Sequence, residues 1–204
     1  MAQAKTRTAA RTKSATRRSR SRTTARGRNR SARSRSDAIT LLKSDHRQVE
    51  DWFEQFEKAR SDERKRDLAG RICTALRVHT QIEEEIFYPA FYEATQASDL
   101  HHEAIVEHDG AKKLIAEIES SGPDDDYYDA RVSVLSEMIK HHVKEEEQRD
   151  GMFAKARSSG MDLAALGEQL AARKAELESS PDVLKRATDM GKGLISRLAA
   201  AAGR

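Results

Sequence analysis

The chain contains one cysteine, three prolines and one tryptophan in 204 residues, and aromatic residues make up only 5% of it. The single thiol, Cys73, excludes an intrachain disulfide and a multi-thiolate zinc site. Within a helical pattern it reads as a small buried apolar residue. Few prolines among abundant Ala, Glu, Lys, Arg and Leu favour long helices over sheet. No apolar run approaches the roughly eighteen residues of a membrane span, and none near the start suits a secretory signal. A soluble, cytoplasmic protein is expected.

Acid, too, is missing from one region. Residues 1–36 carry thirteen Lys and Arg and no Asp or Glu. Set against a net charge of +3, this leaves −10 for residues 37–204 (3 − 13). The arm is built of Arg, Lys, Ser, Thr and Ala, with too little apolar surface to offset the entropy of ordering, so disorder is expected. A cationic segment without counter-charge suits nucleic-acid phosphates, and having no aromatic for base stacking it would bind without sequence preference. Nucleoid association is one expectation. An organelle transit peptide, a solubilising tail and an arm folded back on the acidic domain are the alternatives.

From Asp37 onward, helical periodicity sets in. Leu42, His46, Val49, Phe53 and Phe56 form one stripe on a helix over about 37–59. A second helix, about 63–95, carries Leu68, Ile72, Leu76, His79, Glu83, Ile86 and Ala90, and Pro89 should bend or interrupt its last turns. The third, about 99–120, aligns His101, Ala104, His108, Ala111, Ile115 and Ile118 and stops at Ser121-Gly122-Pro123. Asp124-Asp125-Asp126 then offers an N-cap to a fourth helix over about 126–157, with Leu135, Met138, His142, Glu146 and Phe153 inward. Short connections predict an all-α, up-down-up-down four-helix bundle over 37–157. An Asp162-capped accessory helix, whose leucines could pack on the bundle, occupies 158–180, and a tail 181–204.

Four of these inner stripes each carry a histidine: His46, His79, His108 and His142. Two are followed four residues later by glutamate, as His79–Glu83 and His142–Glu146, which places each pair on one helix face. A lone inward histidine is more often a satisfied core residue. The runs Glu83–Glu85 and Glu145–Glu147, taken alone, read as solvated faces. Six ionisable groups converging from four helices need a shared partner, because a buried charge without one costs several kcal/mol. Imidazole with carboxylate suits iron, manganese or zinc.

The segments Leu41–His46, His79–Pro89 and His142–Glu146, with Glu107-His108 on the third helix, resemble the signature of hemerythrin-like HHE cation-binding domains. The resemblance covers about residues 37–157. It implies a di-iron centre with an oxo or hydroxo bridge, Glu83 and Glu146 as bridging carboxylates and the four histidines as terminal ligands.

Oxygen-carrying members of that family have a second histidine four residues away on the third helix. Here the two such positions hold Ala104 and Lys112, leaving one iron short of a nitrogen. Those members also have an aspartate five after the last histidine, where this chain has Glu147. Glu50 is a candidate extra ligand or a solvated residue, and His141 lies beside the stripe. His101 is too far along the helix for direct ligation, and His101 and His102 read as residues behind the ligands or exposed near a helix start. The missing nitrogen shifts the expectation from oxygen carriage to sensing or handling O2, peroxide, nitric oxide or iron. Alternatives are a DNA-tethered stress-protection protein and a non-haem iron oxidoreductase of catalase-like or nitric-oxide-reducing type. No catalytic proton carrier is singled out, although Tyr88 and Tyr92 follow the second-helix ligands.

Overall fold

The computed structural model describes residues 36–181. Apart from Ser36 and Pro181, the expected arm and tail lie outside the described residues. Asp37 opens α1 (Ala38–Lys58) by accepting from the Thr40 amide at 2.7 Å. Ser61 does the same for α2 (Asp62–Ile82), and Asp62 and Glu63 in the first turn suit the positive end of the helix dipole. The helical path continues through a π-helical turn, π1 (Glu83–Phe87), into α3 (Tyr88–Thr95). It ends at Gln96, whose left-handed backbone (φ 54°) lets its amide donate to the Tyr92 carbonyl. Then come α4 (Ser98–Ser120), α5 (Tyr128–Glu147), α6 (Met152–Ser158) and α7 (Leu163–Glu178), the last capped by Asp162. No strand occurs among the described residues.

Three local expectations need adjustment. The interruption expected near Pro89 is only partial: the regular α-helix gives way to a π turn just before it, and the helical path then continues through Pro89 as α3. The fourth helix stops at Glu147, ten residues early, and resumes as α6. Gly151 explains the break, since a Cβ there would stand 2.2 Å from the Glu145 carbonyl oxygen, so only glycine lets the chain turn against the end of α5. Finally, the start of α5 has no side-chain cap; Asp125 instead accepts from the Tyr127 amide within the preceding turn.

Helix α1 packs on α2 and α5, and α4 packs on the same two, closing a ring of four antiparallel rods. Two apolar clusters fill it. One holds Val49, Phe53, Leu76, Ala111, Ile139 and Val143; the other holds Leu42, Ile82, Phe87, Ala104, Met152 and Phe153. Along three of the helices the histidine falls between members of the two: Leu42, His46, Val49 on α1; Leu76, His79, Ile82 on α2; Ala104, His108, Ala111 on α4. A buried polar layer is thus sandwiched between two apolar ones. Leu170 fixes α7 to the outside of the second cluster, where α7 packs on α1, α2 and π1. At Gly167 a Cβ would meet the Ser36 carbonyl oxygen at 2.4 Å, so glycine permits that contact.

Candidate metal centre

All six predicted ligands are brought together, each with 0 to 5% of its surface exposed. They form two halves. In one, the Nε2 atoms of His46 and His79 face each other at 3.0 Å. Glu146 Oε2 lies 3.4 Å from His46 Nε2, and Glu83 Oε2 lies 3.2 Å from His79 Nε2. In the other, His108 and His142 face each other through Nε2 at 3.3 Å, with Glu83 Oε2 at 3.5 Å from His108 and Glu146 Oε2 at 3.7 Å from His142. Both carboxylates therefore reach both halves.

The outer nitrogens explain the inner geometry. Three histidines hydrogen-bond a carboxylate through Nδ1: His46 to Glu147 at 2.8 Å, His108 to Glu84 at 2.9 Å and His142 to Glu107 at 2.7 Å. His79 Nδ1 lies 3.5 Å from Asp45, an ion-pair distance without a hydrogen bond. An imidazole that donates from Nδ1 presents a lone pair at Nε2. Two facing lone pairs repel unless a proton or a cation stands between them. Three of the four carboxylates are in turn held by cations, Glu147 by Lys43 and Arg47, Asp45 by Lys174, and Glu84 by Lys112. Carboxylate–histidine pairs of this kind fix the ring and raise its basicity toward a metal.

Protons show the same tension. Burial opposes a charge on His79, yet Glu83 and Asp45 raise it to about 10. Burial holds its partner His46 below the ordinary range. Likewise His142 is raised to about 9 against burial, by Glu146 and Glu107, while burial lowers His108. Of the two carboxylates, Glu83 is lowered by His79 despite its burial, and burial and the charge on Glu83 raise Glu146. Glu83 Oε1 and Glu146 Oε2 are buried and accept no hydrogen bond. The orphaned Glu146 oxygen faces paired nitrogens, which fits a cation, and two sets of nitrogen and oxygen donors, His46/His79/Glu83 and Glu83/His108/His142, share Glu83.

One residue of the centre was not assigned from sequence. The Tyr88 hydroxyl lies 3.2 Å from His108 Nε2, 3.4 Å from His142 Nε2 and 3.1 Å from Glu146 Oε1. It thus occupies the half that lacks a second α4 histidine. In an α-helix a residue five after Glu83 would point well away; the π turn, with the Tyr88 amide donating to the Glu83 carbonyl, brings it back. Lys112, in place of that histidine, holds Glu84 instead. Glu50 is not brought to the centre and pairs with Arg47 at 2.7 Å. His101 sits behind Tyr88, ring centres 6.2 Å apart, His102 is exposed, and His141 lies at the surface. Cys73 is buried, which pushes its thiol up to about 12.

A helical bundle enclosing a layer of imidazole and carboxylate defines a cation-binding helical protein. Residues 37–154 match the Hemerythrin HHE cation binding domain, and the chain belongs to that family. It is also similar to a DNA nickase of Nostoc sp. (strain PCC 7120 / SAG 25.82 / UTEX 2576), 25% identical over 122 residues, 58% of this chain and 33% of that protein. The chain thus spans about a third of that relative's length. No solved structure gives a significant match. No helix among the described residues is long and apolar enough to cross a membrane.

Proposed function

We propose that this chain is a hemerythrin-like iron protein that senses or handles O2, peroxide, nitric oxide or iron at a buried di-iron centre. His46 and His79 would serve one metal and His108 and His142 the other, with Glu83 and Glu146 shared and Tyr88 beside the His108/His142 half. The observation that carries this is the pairing of Nε2 atoms at 3.0 and 3.3 Å, each outer nitrogen turned to a carboxylate. When bound, iron would supply redox and small-ligand chemistry; the chain's own part is to position donors and exclude water. A cavity of about 10 Å³ beside the four histidines has Val49, Leu76, Ile139 and Val143 in its walls. It has room for about one water-sized molecule.

Metal analysis tests the reading, with His79→Ala and Glu83→Ala as controls. Two irons per chain are expected in the native protein, and both variants should lose iron while keeping their helical content. Protein that holds no iron after reconstitution would sink the proposal.

A second reading adds nucleic acid. Thirteen basic residues in positions 1–36, with the similarity to a protein named DNA nickase, support tethering of the iron domain to DNA. Each phosphate neutralised adds about −0.9 to the log–log salt slope. Changing Arg17, Arg18, Arg20 and Arg22 to glutamine in the full chain should weaken DNA binding and flatten that slope. An unchanged affinity at both of two salt concentrations would remove the tether.

A further inference from the structure

Of the four carboxylates behind the histidines, Glu107 differs from the rest. Lys43 and Arg47, Lys174 and Lys112 neutralise Glu147, Asp45 and Glu84, but among the described residues no Lys or Arg pairs with Glu107. One oxygen, Oε2, accepts from His142 Nδ1 at 2.7 Å. The other, Oε1, faces outward, 3.5 Å from Nε2 of His141. Glu145, one helical turn after His141 on α5, brings its Oε1 to 3.2 Å from the same nitrogen. It too pairs with no Lys or Arg among the described residues. Two half-buried carboxylates thus flank one imidazole, and their three ligand atoms lie within 4.8 Å of one another.

We propose that Glu107, His141 and Glu145 form a solvent-facing site for a first-row divalent cation, distinct from the buried centre and joined to it through Glu107. The charge argument is the stronger half of the case. A cation supplies to Glu107 what a lysine or arginine supplies to its three counterparts. The donor set is the geometric half: one imidazole nitrogen and two carboxylate oxygens, open to water, suit Zn2+, Fe2+ or Mn2+ with solvent completing the coordination. The exposure of His141, 62% of its side chain, leaves room for those waters and for exchange.

The shared carboxylate has a consequence. A cation on Oε1 draws charge from the oxygen that holds His142 Nδ1, so the two sites influence each other's affinity reciprocally. This coupling rests on the buried centre proposed above; binding at the outer site does not.

Titration of the metal-free full-length protein with Zn2+ tests the site, comparing native protein with His141→Gln and Glu145→Gln. Both changes are at the surface and spare Glu107. Native protein should bind one equivalent that each variant loses or binds at least tenfold more weakly. That equivalent should survive in a His79→Ala, Glu83→Gln double variant, which takes a histidine from one half of the buried centre and the carboxylate shared by both. Unchanged stoichiometry and affinity in both surface variants would overturn the proposal. So would disappearance of the extra equivalent from the double variant, which would place it in the interior.

Discussion

The hydroxyl of Tyr88 stands 3.4 Å from Glu83 Oε2 although the two residues are five apart on one continuous helical path. The same oxygen is 3.1 Å from Glu146 Oε1 on α5. One phenol therefore touches both shared carboxylates, and the π turn between Glu83 and Tyr88 makes that possible.

Tyr88→Phe should leave the fold intact at a cost of about 1 kcal/mol, the net worth of a typical hydrogen bond. The reconstituted iron protein should show an altered visible spectrum and weaker iron retention against a chelator. Identical spectra and retention would show that the hydroxyl plays no part at the metal.

Glu146→Gln separates metal binding from folding. Without metal, burial and the charge on Glu83 raise Glu146 and favour its neutral form, so the neutral, similarly shaped amide should change unfolding free energy by less than about 1 kcal/mol. Iron binding should fall to one metal or none. A large loss of metal-free stability would contradict a protonated Glu146.

The metal-free protein should be most stable in a window set by these shifts. His79 and His142 are raised from 6.5, to about 10 and about 9, so the stability from their protons is complete below pH 6.5 and lost as pH rises toward 10. Glu83 and Glu147 are lowered from 4.5 to about 2, so their contribution is present above pH 4.5 and lost as pH falls through 2. Denaturant midpoints across pH 3 to 10 should fall at both ends. Iron affinity should rise with pH, because the cation displaces protons from the imidazoles. An affinity that does not respond to pH would contradict the donor set.

Lys174 lies on α7, beyond the residues matched to the family, yet its Nζ is 2.5 Å from Asp45, the partner of His79. Lys174→Met should weaken metal binding by about tenfold, the lower end for loss of an outer partner, with helical content unchanged. Wild-type affinity would reduce α7 to a packing element.

The bundle and the inward placement of its four histidines, Glu83 and Glu146 were legible because α-periodicity is strong where a helix buries one face: His46 falls in step with Leu42 and Val49, and His142 with Glu146. Tyr88 was not, because its alignment depends on a π turn, and a stripe drawn at 3.6 residues per turn cannot anticipate one. The end of α5 was missed for a related reason. Gly151 is compatible with a helix in sequence, and only the approach of the Glu145 carbonyl shows why the chain turns there. The four outer carboxylates were hidden among charged residues that look solvated. Which charges of a charged face turn inward depends on how neighbouring helices are rotated, and that is set by packing across the whole core.

The polar layer takes one imidazole from each of four helices, and its facing nitrogens belong to residues 33 apart in one half and 34 apart in the other. A cation in each half would act as a cross-link, closing two long loops that the unfolded chain would otherwise leave open. Loading the centre would then fasten α1 to α2 and α4 to α5, while Glu83 and Glu146 tie the two pairs together. Metal occupancy would be felt as mechanical stiffness through the whole bundle, far from any ligand that enters it.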